Sequence, residues 1–174
     1  MKISALDLGS VTGLCYGEAG AVPVLHSWTL DARGNRYQRG RVLAQLLREH
    51  LNEYVPDALY VEAPQPLAGM IQRGTSGDAL QALYGYDMVA FIVGDQCNIP
   101  VKSVDTQEAR RHFIGRRPPK GKGKAMVADR CRVLRWAANN HNESDAAAVW
   151  ALASALEAPS RWMKAVQEHS ARAS

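Results

Sequence analysis

Three carboxylates in this chain stand where chemistry explains them better than solvation does. Asp7 lies between Leu6 and Leu8 inside the apolar run at 2–8. A carboxylate in a buried strand is costly to desolvate, so it must be paired, protonated or bound to a cation. Glu62 closes the run DALYVE at 57–62, and Asp145 opens the alanine-rich run DAAAVWALA. Brought together from the beginning, middle and end of the chain, these acids would repel one another and raise each other's pKa unless divalent cations sat between them. An oxygen-only site with open water positions suits Mg²⁺ or Mn²⁺. Two such ions about 4 Å apart can activate a water and stabilise the leaving oxygen of a phosphodiester. Each acid also has an ordinary reading: Asp7 as a turn former with Gly9, Glu62 as a solvent-facing strand end, and Asp145 as a carboxylate favoured by the helix dipole in a first turn.

The basic residues are unevenly distributed. The net charge is only +4, yet Arg110, Arg111, Arg116, Arg117, Lys120, Lys122, Lys124, Arg130 and Arg132 face the single acid Asp129 between positions 110 and 132. Such a block is a footprint for a phosphate backbone, supplying affinity without sequence information. A solvated charged face is the plainer alternative.

Elements that would position these groups follow from periodicity and punctuation. Residues 2–8, 12–18 and 22–30 read as three strands joined by glycine-containing turns, an antiparallel meander. Val42, Leu43, Leu46, Leu47, His50, Leu51 and Tyr54 share one face of a helix predicted over 33–54, with His50 as packing material. Pro56 ends it, and 57–62 is a short strand. The stretch 63–77 has no clear period and is expected to be a long surface loop, a common seat of function. Residues 78–98 form a helix apolar almost all round, which requires cover on two sides, by a second subunit or by burial within the chain. A strand at 99–104 and a capping box at Asp105 lead into a helix to about 114. A basic loop at 115–123, a helix at 124–138, a break at 139–142 and a helix at 145–156 capped by Ser144 complete the pattern. From about 168 the chain is expected to fray. The order of elements predicts an α/β fold: a mixed five-stranded sheet, its first three strands antiparallel and its last two parallel, flanked by helices.

At 174 residues and 47% hydrophobic, the chain is expected to form one domain, 1–174, with a core that needs no staples. Cys15, Cys97 and Cys131 are odd in number, widely spaced and set among apolar residues, which points to reduced thiols. No run is long and apolar enough to span a bilayer, and the first strand starts at once, so a cytoplasmic location without membrane contact is expected.

Taken in order, ALDLGSVTG, YVEAPQP, IPVKSVDTQEARRHFIG, GKGKAMV and NESDAAAVWALA resemble the RuvC family of Holliday-junction resolvases within the RNase H-like superfamily, its phage-type members in particular. The resemblance implies that Asp7, Glu62 and Asp145 bind metal, that Lys124 sits near the scissile phosphate and that Arg110 contacts DNA. It further implies a homodimer that nicks two symmetric strands of a branched DNA junction. Two departures stand out. Where the family carries a fourth ligand, three residues before its last acid, this chain has Asn142. We take the neighbouring His141 as that ligand, with Asn142 and Glu143 as alternatives. Where bacterial members carry an aromatic wedge this chain has Gln65, with Leu67, Met70 or Ile71 as replacements. The rival readings are an actin-like or sugar-kinase ATPase lobe, for which ALDLGSVTG would be the phosphate turn, and a noncatalytic junction-binding module.

Overall fold

A computed structural model describes residues 1–30, 33–64, 67–72 and 74–162. Gln65 and the segment from 168 onward lie outside the described residues. Strands β1 (Lys2–Asp7), β2 (Val11–Glu18) and β3 (Val24–Thr29) precede helix α1 (Arg36–Tyr54) and strand β4 (Ala58–Glu62). Helices α2 (Leu67–Gln72) and α3 (Gly77–Gln96), strand β5 (Val101–Val104) and helices α4 (Thr106–Ile114), α5 (Gly123–Val133) and α6 (His141–Glu157) follow. The five strands form one sheet in the order β3-β2-β1-β4-β5, with β1 to β3 antiparallel and β4 and β5 joined in parallel to β1. This is the mixed sheet expected from the sequence.

The alternation of side chains along each strand sorts the core into two layers. Ile3, Ala5, Cys15, Ala58 and Tyr60 face one side, where α4, α5 and α6 pack. Leu6, Leu14, Leu59 and Val61 face the other, against α1 and α3. By the same alternation Asp7, Gly13 and Glu62 continue the first set, so both acids come out on the α6 side. The parallel pairing of Leu6 with Val61 brings them out side by side at the ends of their strands.

Helix α6 is the central helix. Every residue from Glu143 to Ser154 is buried, and five alanines (146, 147, 148, 151 and 153) let its backbone come close to the sheet. Fully buried Trp150 donates from Nε1 to the Ile3 carbonyl at 3.2 Å and packs edge-on against Trp136. At its start the approach is closer still: a Cβ on Gly13 would lie 2.0 Å from the Asn142 carbonyl oxygen. Gly13 pairs with Asp7 across the β1–β2 ladder. The absence of one side chain thus sets the α6 N-terminus beside the first acid.

Four expectations need correction. Helix α6 starts at His141 because Asn140, not Ser144, is its cap: Asn140 Oδ1 accepts from the Glu143 amide at 3.0 Å, and Ser144 is buried one turn in. Helix α5 ends at Val133 because Arg135 turns left-handed (φ 58°) and the Trp136 amide bonds back to the Cys131 carbonyl, which brings Trp136 into the core against Phe113. The long loop contains the short helix α2, whose buried Met70 anchors it. Of the two covers expected for α3, burial within the chain does not hold: Tyr84, Met88, Phe91 and Ile92 are exposed, while α6 takes the enclosed position. His50 behaves as expected of packing. It lies among Tyr16, Trp28 and Tyr54, contacts Ser4 Oγ at 2.9 Å, and burial holds its pKa down to about 4. The three cysteines are free. No helix among the described residues is long and apolar enough to cross a membrane.

Gly13→Ala should lower the unfolding free energy by about 1–3 kcal/mol, the usual range for overpacking, because backbone rather than a movable side chain blocks the added methyl. Urea denaturation measures this, and an unchanged midpoint would refute the close approach.

Candidate functional site

Asp7 and Glu62 end neighbouring parallel strands and line one pocket of about 330 Å³, walled by Leu8, Pro64, Met70 and Thr75. Asp145, 3% exposed, sits one turn into α6 above them. Burial raises the pKa of Asp7 well above the ordinary carboxylate range, and the charges of Glu62 and Asp145 push it further, partly offset by Lys124 and Arg110. Glu62 is likewise raised, first by burial and then by Asp145, against the opposing hydrogen bond from Thr106. The structure therefore brings the three acids expected from the sequence into one electrostatic neighbourhood.

Helix α4 supplies partners to two of them. Buried Thr106 donates from Oγ1 to Glu62 Oε1 at 2.6 Å. One turn on, Arg110 grips Asp145 with both arms, Nε to Oδ1 at 3.1 Å and Nη2 to Oδ2 at 2.9 Å. Residues four apart share a helix face, so a single face of α4 orients acids from β4 and α6. Asp105 holds that helix start by accepting from the amides of Gln107 and Glu108. Lys124, at the head of α5 and 58% exposed, stands 3.9 Å from Asp145. Thr106 was missed in the sequence because its only signal is the four-residue step to Arg110.

The remaining basic candidates do not join this cluster. Arg111, Arg116, Arg117, Lys120 and Lys122 are exposed on the end of α4 and on the loop between α4 and α5. Arg132 pairs with Asp129. The expected fourth ligand, His141, is exposed on a different cleft, beside Cys131, Arg132 and Trp136. That displacement follows from the earlier start of α6, which puts His141 at the outer end of the first turn. The alternative Glu143 is fully engaged: Oε1 accepts from Ser27 at 2.9 Å and from Asn140 at 3.1 Å, and Oε2 from the Asn139 amide at 2.7 Å and its side chain at 3.2 Å. It ties the turn before α6 to β3. Asn142 is half-buried, with its backbone against Gly13.

An all-oxygen donor set in which the charge of Asp145 raises the pKa of both Asp7 and Glu62 fits a hard divalent cation, because such an ion would relieve the repulsion. As the side chains stand, no group of three His, Cys, Asp or Glu among the described residues forms a ready ligand set. Both oxygens of Asp145 are taken by Arg110 instead.

No protein-family model matches the sequence, and no curated protein matches it significantly. Solved structures do match in shape. The fold is RNase H-like, in the form found in Holliday junction resolvases. Thermus thermophilus RuvC superposes with a TM-score of 0.63 at 14% identity, over 86% of this chain and 90% of that one. T. thermophilus RuvC in complex with a Holliday junction substrate gives 0.65 at 16% identity over the same shares. The yeast mitochondrial Holliday junction resolvase Ydc2 gives 0.58 at 11% identity, over 98% of this chain and 82% of that one.

A carboxyl whose folded-state pKa is raised binds its proton more tightly in the folded than in the unfolded chain. Stability therefore falls as pH rises above the unfolded value of about 3.9. In EDTA, Asp7→Asn should raise the melting temperature at pH 7, and the gain should vanish as pH drops below about 4. Thermal melts at the two pH values check this; a destabilised variant at pH 7 would contradict the buried repulsion.

Proposed function

We propose that this protein is a metal-dependent, structure-selective endodeoxyribonuclease that resolves Holliday or related branched DNA junctions by paired symmetric nicks. The observation that carries this is the meeting of Asp7, Glu62 and Asp145 at the strand ends of an RNase H-like sheet, with Arg110 and Lys124 beside them. Asp7, Glu62 and Asp145 would hold two Mg²⁺ or Mn²⁺ ions, which supply Lewis-acid polarisation of the phosphate and lower the pKa of the attacking water. Thr106 keeps Glu62 in one orientation by occupying Oε1. Arg110 and Lys124 set positive charge where the phosphate gains negative charge during displacement. Lys120, Lys122, Arg111, Arg116 and Arg117 hold the backbone, and the exposed Leu67 and Ile71 of α2, the helix whose Met70 lines the pocket, act as the wedge.

Two nicks related by symmetry require two active sites, so the working form is a homodimer. The exposed stripe on α3, Tyr84, Met88, Phe91 and Ile92, follows helical spacing and suits an isologous contact with its own copy. Met88→Glu combined with Ile92→Glu should convert the dimer to a monomer in sedimentation at micromolar concentration, and paired nicking should fall to single nicks.

A noncatalytic junction-binding module is the second reading, favoured by the engagement of both Asp145 oxygens with Arg110. Incubating a synthetic four-way junction with Mg²⁺ separates the two: the nuclease linearises it into nicked duplexes, whereas the module only retards it. Asp7→Asn should bind the junction and not cut it; undiminished cutting would defeat the mechanism. Thr106→Val should weaken Mn²⁺ binding by about 10–100-fold, the usual effect of removing a partner that orients a metal ligand. Titration calorimetry measures this, and Thr106→Ser should restore it.

A further inference from the structure

Basic groups border the acid pocket on the α4–α5 side, and the fold sets a second basic bank on the opposite side. Strands β1 and β3 both run antiparallel to β2, so β3 ends at the same edge of the sheet as Asp7, and α1 starts there. Helix α3 starts at that edge too, after the segment that follows Glu62. Thr75 and Leu83 line the acid pocket. Ser76 and Ala82 line a neighbouring cleft of about 560 Å³, with Arg36, Tyr37 and Arg39 across it. The two hollows thus share the start of α3 as a common wall.

The chemistry of this second cleft is unusual for a structural surface. Arg36, Arg39 and Arg41 occupy the first two turns of α1, and the first turn holds no acid, although the positive end of a helix dipole disfavours cations. Across the cleft Asp78 accepts from Arg36 at 2.8 Å, but Asp78 is 89% exposed, so solvent screens the pair. The Arg36 guanidinium lies 4.8 Å from the centroid of the Tyr37 ring, and Tyr37, at 73%, is the most exposed large hydrophobic among the described residues. Packing does not require an aromatic there. Arg36 Nη2 also donates to the Tyr37 hydroxyl at 3.0 Å, so the guanidinium covers one face of the ring. Guanidinium groups take phosphates, and the face of the ring that Arg36 leaves uncovered stacks an unpaired base.

We propose that this cleft is a second DNA contact, in which Arg36 and Arg39 hold the backbone of a strand leaving the acid pocket and Tyr37 stacks one of its unpaired bases. The proposal rests on the nuclease reading for the identity of its ligand. It commits to DNA because a row of arginines with a stackable ring complements a polyanion carrying flat bases, and because the two hollows lie on either side of the start of α3.

The test uses the full-length protein and a fluorescent four-way junction in EDTA, with binding followed by anisotropy at several salt concentrations. Arg36→Gln with Arg39→Gln should weaken binding by about tenfold and reduce the slope of log K against log salt by about 1–2, two phosphate contacts being lost. Tyr37→Ala should weaken binding by about fivefold or more through lost stacking, with the slope unchanged. The ring is exposed, so this variant keeps its fold. Asp78→Asn should tighten binding. If these variants match the wild type while Lys120→Gln with Lys122→Gln weakens binding, the second contact is overturned and the nuclease reading stands. If the wild type binds no junction, both fall.

Discussion

The structure depends on one close approach, that of the α6 N-terminus to the sheet at Gly13. Packed layers are normally held apart by the side chains between them, about 10 Å in the case of two sheets. Here glycine on β2 and alanines on α6 remove the spacers, and the Asn142 carbonyl comes to where a Cβ would be. Because Gly13 is the ladder partner of Asp7, the contact that packs the core also brings Asp145 to the other acids. Glu143 locks the same turn from the far side by accepting hydrogen bonds from Ser27, Asn139 and Asn140. Packing and chemistry therefore share one set of residues, and stability is spent to hold like charges together.

That charge is distributed deliberately. Asp7 is raised in pKa by burial and by the charges of Glu62 and Asp145, and Glu62 by burial and by Asp145, while Asp145 is answered by Arg110 and, at longer range, Lys124. A guanidinium with two parallel hydrogen bonds is a firm partner, so any divalent ion at Asp145 must compete with it or share it. Helix α4 thus orients two acids from one face: its Thr106 bonds Glu62, its Arg110 bonds Asp145, and Asp105 caps its start.

The edge of the sheet where the parallel strands end is also where α1, α3, α4 and α6 start. Open α/β sheets place ligands at this edge because strand ends, helix starts and loops converge there. In this chain the convergence puts acids in the middle, with basic residues from the 110–132 run on one side and those of α1 on the other. T. thermophilus RuvC and Ydc2 have the same fold at 11–16% identity.

Much of this was legible in the sequence alone. Apolar runs ending on Asp7 and Glu62, the glycine turns, the amphipathic α1 and the basic stretch around Lys124 specify strands, helices and candidate acids through local periodicity, which needs no knowledge of partners. What it left open were contacts between distant segments. On ligand chemistry alone the sequence favours His141 over Asn142 and Glu143, and only the cap at Asn140 and the reach of Ser27 decide that Glu143 turns to β3 and His141 to the surface. The apolar α3 looked in need of cover on two sides, yet the alanine-rich α6 took the enclosed place because small side chains let a helix lie against the sheet, leaving the stripe of α3 outside. Thr106 became a partner of Glu62, and Arg36 and Tyr37 a second bank, because tertiary structure sets which helix starts share an edge. Local pattern determines what each segment is, and the geometry of packing determines whom it meets.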